Sequence, residues 1–193
     1  MNTSVKNMVS AVTAFLMSAS MAAAASPSGV AVKGVTFQPQ LVRDGRTLSL
    51  NGAGVRTKVI FKVYAAALYV GTLSKDAVAL LSAAQPKLME LVFLRSVDGQ
   101  AVSEAIMKGF EKNSKDKLTS LSSRLGKFRG LIPDFKKGDR ISFVYAQGEG
   151  VAVEVNDSAK GRVEGDDFAE ALFRCWLGDV PADPLLKKGL IGQ

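Results

Sequence analysis

Arg56 and Tyr64 are side chains whose types can do recognition chemistry. A guanidinium is a planar fork of donors that matches a carboxylate, and a phenol supplies one more donor. Buried at one end of an apolar pocket, the pair selects an amphiphilic anion. The plainer reading has Arg56 pairing with a surface acid and Tyr64 packing with its hydroxyl in water, and the residues alone leave both open. Eight positions separate the two, about 26 Å along an extended strand, so a bend or hairpin must bring them together.

The rest of the inventory mostly excludes. None of the 193 residues is a histidine, which removes Ser-His-Asp and Cys-His nucleophiles, His-ligated zinc and a proximal-histidine haem. The single cysteine, Cys175, removes intrachain disulfides and multi-thiolate clusters, and its apolar neighbours Phe173, Trp176 and Leu177 give it a packing role. No cofactor or metal is expected. What survives is chemistry by Tyr, Lys, Arg and carboxylates, or binding alone.

Residues 1–25 read as a Sec-type signal peptide. Lys6 is their only charge, an apolar stretch runs from Met8 to Met17, and the small residues that follow offer A-x-A sites ending at Ala24 or Ala25. The apolar core is too short to anchor in a bilayer, so the expectation is a periplasmic or secreted protein without stable membrane insertion. The formal charge of +7 falls to +6 without Lys6. Lys and Arg are interleaved with acids rather than blocked, which fits a solvated basic surface and argues against nucleic acid. The oligomeric state is left open.

The patterning that must position these groups alternates strand, helix and strand. Residues 30–37 form an entry strand broken at Gly34, and 40–43 pairs with 47–50 across the Asp44-Gly45 turn signal. Asn51-Gly-Ala-Gly54 reads as a glycine-rich turn that lets backbone segments approach closely; no phosphate-loop pattern fits there. Residues 56–70 read as the densest strand, with Val59, Phe61 and Val63 facing inward. Helices are expected over 74–84 with Ser74 as N-cap, from Asp98 or Ser103 to Asn113, over 115–128, over 167–177 with Asp166 as cap, and over 185–191. Strands are expected over 89–95, 137–145 and 150–156. This order implies an α+β fold, an antiparallel β-sheet with helices packed on one face.

Several of these segments resemble the chalcone isomerase-like family in its exported bacterial branch. They are Gly52-Ala-Gly-Val-Arg56, Lys62-Val-Tyr-Ala-Ala-Ala-Leu-Tyr69, Met89-Glu-Leu-Val-Phe-Leu-Arg95, Gly109-Phe-Glu-Lys-Asn113, Asp166-Asp-Phe-Ala-Glu-Ala-Leu-Phe173 and the ending from Trp176 to Gly192. They occur in family order across nearly the whole of 30–192, which the resemblance assigns to one domain. The resemblance implies an open-faced β-sandwich with a pocket between sheet and helices. Plant isomerases of the family close chalcones into flavanones by intramolecular oxa-Michael addition; other members bind fatty acids.

Arg56 matches the family arginine that steadies enolate charge in isomerases and holds the carboxylate in the binders. Tyr64 stands where isomerases carry threonine and binders carry tyrosine. Val102 and Gly109 stand where isomerases carry the tyrosine and asparagine that polarise the enone. The resemblance therefore implies an exported, non-catalytic domain with no catalytic residues, binding a fatty acid or similar small amphiphilic carboxylate through Arg56 and Tyr64. The alternatives are an intramolecular lyase of the isomerase type on an unknown substrate, and an interaction module with a vestigial pocket.

Overall fold

The computed structural model describes residues 29–82 and 84–193, so the expected signal segment lies outside the described residues. Residues 30–37 are two short strands, β1 (Val30–Val32) and β2 (Val35–Phe37), paired as a hairpin with Lys33 and Gly34 at positive φ in its turn. The main sheet is an antiparallel meander whose strands neighbour one another in chain order: β3 (Gln40–Arg43), β4 (Arg46–Lys58), β5 (Phe61–Val70), β6 (Lys87–Phe93), β7 (Arg140–Ala146), β8 (Gly150–Val155) and β9 (Ser158–Val163). The helices are α1 (Ala77–Leu81), α2 (Gly99–Asn113), α3 (Leu118–Arg129), α4 (Asp166–Leu177) and α5 (Pro184–Leu190).

Alternation along β5 sorts the two faces. Tyr64, Ala66, Leu68 and Val70 pack with the helices, while Ala65, Ala67 and Tyr69 join Phe37 and Leu48 on the opposite face. The larger core holds most buried residues of α2 and α4, with α4 contributing Phe168, Leu172, Phe173 and Trp176. This is the expected α+β arrangement, an antiparallel sheet with helices on one face.

Four local expectations are corrected. Residues 51–54 are strand rather than turn: Gly52 and Gly54 lie within β4, where the register against β5 shifts between Leu50 and Gly52. The reason given for the glycines survives, because a Cβ at Gly52 would collide with the backbone carbonyls of Gly189 and Leu190 in α5. Residues 56–70 are also not one strand. The chain turns back at Val59–Ile60, so Val59 and Phe61, expected inside, are exposed. The helix over 74–84 shrinks to α1, capped by Asp76, whose carboxylate accepts the Val78 N–H at 2.9 Å, rather than by Ser74. Asp166 is the first residue of α4, with Gly165 at the cap position; its carboxylate instead accepts the Tyr145 hydroxyl and the Gly148 N–H, each at 3.0 Å. Among the described residues no helix is long and apolar enough to cross a membrane.

Candidate functional site

The turn at Val59–Ile60 is what joins the two sequence-predicted residues. It folds β4 against β5 so that Arg56 and Tyr64 become direct register partners, with the Arg56 guanidinium 5.7 Å from the centre of the Tyr64 ring. That separation suits a cation–π contact. Tyr64 is buried, edge-on to Phe93, and its oxygen accepts the indole N–H of Trp176 at 2.9 Å. With its lone pair so engaged, the phenol keeps its own proton to donate. Burial pushes the phenol up to about 12, against the opposing pull of Arg56 and of the Trp176 hydrogen bond. At neutral pH it is a neutral donor and not a base.

Both residues line a cavity of about 370 Å³ between β4, β5 and β6 on one side and α2 and α4 on the other. The volume falls within the usual range for small-molecule sites, roughly 300–1,000 Å³. Its walls are mostly apolar, drawn from Val63, Leu91, Phe93, Val102, Ile106 and Trp176 among others. The charged groups in the lining are Arg56, Lys58 and Arg95, and no carboxylate accompanies them.

Arg56 is the cation set deepest by its contacts. Its Nε is buried and finds no hydrogen-bond partner among the described residues. The acid nearby, Asp183, is taken up by backbone: it caps α5 through the N–H groups of Leu185 and Leu186 and accepts the Thr57 N–H at 2.9 Å. A guanidinium left without a counter-charge beside an apolar cavity is costly, and an anionic ligand relieves that cost. The alternative in which Arg56 pairs with a surface acid does not occur among the described ion pairs, and the Tyr64 hydroxyl is bonded rather than wet.

The comparisons with known proteins agree with this architecture. A family model described as chalcone isomerase-like matches residues 29–192, most of the chain. The chain belongs to the chalcone isomerase-like family. Among curated proteins, none matches the sequence. A crystal structure of an Arabidopsis thaliana fatty-acid binding protein superposes with a TM-score of 0.66 at 16% identity, covering 82% of this chain and 92% of that one. At that identity the likeness is one of fold.

Within this chalcone isomerase-like domain, the face of α2 toward the cavity is apolar. Ala101, Val102, Ala105 and Ile106 line it, so no side chain from that helix offers a hydrogen bond to a carbonyl inside. Gly109, the second position at which the resemblance puts a polar isomerase residue, has no room for one. A Cβ there would stand 2.6 Å from the Cys175 sulfur. Cys175 is itself buried at the cavity wall, its thiol pushed up by burial and directed at the carbonyls of Ile106 and Ala171. It is a packing residue, as its neighbours imply.

Sequence reasoning missed three members of the site: Trp176, Lys58 and Arg95. Trp176 reads in sequence as one more apolar position on α4, and only its hydrogen bond to Tyr64 sets it apart. Arg95 reads as the end of a strand, yet it follows β6 and lies with its guanidinium 4.9 Å from the centre of the Phe61 ring. Neither placement is readable before the turn at Val59 is known.

Proposed function

We propose that this domain binds a fatty acid or a similar small amphiphilic carboxylate without catalysing a reaction on it. The observation that carries the reading is the cavity's charge pattern: apolar walls, cations at Arg56, Lys58 and Arg95, and no acid, with the buried Nε of Arg56 unpartnered. In this reading the carboxylate lies against Arg56 and takes the free proton of Tyr64 as a second hydrogen bond, while the tail fills the space bounded by Leu91, Phe93, Val102 and Ile106. The fatty-acid binding function of the structurally similar plant protein supports the same class of ligand. An apolar α2 face and a neutral phenol supply neither an enone-polarising network nor a base, which favours binding over cyclisation.

Titration calorimetry with saturated fatty acids of increasing length tests this reading. Each buried methylene contributes about 0.8 kcal/mol before ordering costs, so affinity should climb steadily with length and level off once the cavity is full. Affinity indifferent to chain length would rule out the tail's place in the cavity.

The reading includes export, supported by the basic, apolar and small-residue order of residues 1–25. Amino-terminal sequencing of protein recovered from its own source should begin at Ala25 or Ser26. A sequence beginning at Met1 would remove export from the account.

A further inference from the structure

The turn that creates the site is itself anomalous. Val59 sits at φ +59 in the first central position of a two-residue hairpin turn, where glycine is normal because it carries no Cβ. A β-branched residue in that region is strained, and strain of this kind persists chiefly where function requires it. The side chains are largely exposed: Val59 is 88% exposed, Ile60 78% and Phe61, with only Arg95 over its ring, 55%. Three consecutive apolar side chains thus project from a tip whose local rules call for Gly and Asn.

The side chains flanking this tip in the hairpin and over it are cationic. Lys58 precedes it, Lys62 follows it, and exposed Arg95 packs over the Phe61 ring. Asp183, tied to the hairpin through Thr57, is taken up by three backbone N–H groups. Lys58, Val59, Phe61 and Arg95 also line the cavity, so the tip and the cavity's rim are the same residues.

We infer that the β4–β5 hairpin tip is a docking element for an anionic lipid surface, inserting Val59 and Ile60 at the headgroup boundary and presenting the cavity mouth to the bilayer. Apolar side chains ringed by Lys and Arg are the pattern of interfacial attachment, in which apolar burial and attraction to anionic headgroups add. This is peripheral contact and involves no spanning segment. Transfer of a fatty acid between bilayer and cavity rests on the proposed function; docking does not, and it is tested without any fatty acid.

The test is co-sedimentation with vesicles of phosphatidylglycerol and phosphatidylcholine, against vesicles of phosphatidylcholine alone. The parent protein should bind the anionic vesicles at least tenfold more tightly, with affinity falling as salt rises. The variant V59G/I60N removes the wedge while giving the turn its favoured residues, so its thermal midpoint should hold or rise. Its affinity for anionic vesicles should fall tenfold or more. K58Q/K62Q should lose about fivefold per cation and flatten the salt dependence. Failure of the parent to bind anionic vesicles, or undiminished binding by V59G/I60N, overturns the proposal. So does a concentration-dependent dimer that V59G/I60N abolishes while vesicle binding stays, since the tip would then serve a second copy of the chain.

Discussion

Replacing Arg56 with alanine should weaken binding of a long-chain fatty acid by roughly ten- to a hundredfold, the equivalent of a charge-assisted hydrogen bond of about 1.5–3 kcal/mol. The size of the effect follows from where the group sits. Arg56 has a buried Nε without a hydrogen-bond partner and forms no ion pair among the described residues, so its interaction with a carboxylate is neither shared with an acid nor fully screened by water. Lys58 and Arg95 are exposed at the rim, and their removal should cost several-fold less, and less still in high salt.

The same substitution should leave stability of the unliganded protein within about 1 kcal/mol, because no ion pair is broken and the lost contact with the Tyr64 ring is offset by removal of an unpaired guanidinium. Calorimetric titration and urea unfolding on one pair of proteins measure both. A large loss of stability with unchanged fatty-acid affinity would make Arg56 a structural residue.

Gly52→Ala is expected to destabilise the fold more than any surface change. The added methyl meets the carbonyl oxygens of Gly189 and Leu190, which belong to backbone and cannot rotate away. The Leu190 carbonyl is further held by the Asn51 side-chain amide at 2.9 Å. Overpacking of this kind costs about 1–3 kcal/mol or more, and a domain of this size loses about 2–4 °C of melting temperature per kcal/mol. The loss should therefore reach about 6–12 °C at the upper end of that range.

Gly126→Ala is the matched control with the opposite sign. It lies inside α3 with nothing beyond its chain neighbours and the helix's own backbone within 4 Å of the added Cβ, and should stabilise by about 0.8–1 kcal/mol through helix propensity. Thermal unfolding of the two variants beside the parent decides the matter. A Gly52→Ala protein as stable as the parent would mean that α5 does not rest on β4 as described.

The fold class was legible because it depends on patterns that survive averaging over many residues. The apolar runs of β5, β6 and β7, the alternation along β8 and the four-residue spacing of Val102, Ile106 and Phe110 each mark an element. Boundaries were less legible where a single backbone angle decides them. Residues 56–70 read as one strand because Val59–Ile60 carries no turn residue; the positive φ at Val59 contradicts its own propensity. Gly52 and Gly54 read as a turn because a glycine needed for helix packing and one needed for a turn look alike in sequence.

At the site, the resemblance named Arg56 and Tyr64, and both line the cavity. Trp176 and Arg95 were not legible, for they reach the cavity only after elements far apart in sequence have packed. The charge pattern of the cavity is likewise a property of the folded surface. Lys58 and Arg95 are 37 positions apart in sequence, and no local pattern links them.

The central claim is that the cavity recognises a carboxylate as well as a chain. Titration of the parent protein with a fatty acid and with the fatty alcohol of equal length separates the two contributions, since the tails bury alike and only the acid carries an anion. The acid should bind at least tenfold more tightly, and Arg56→Ala should erase most of that difference by weakening the acid alone. Equal affinity for acid and alcohol in the parent would contradict the carboxylate role of Arg56, whatever the cavity holds.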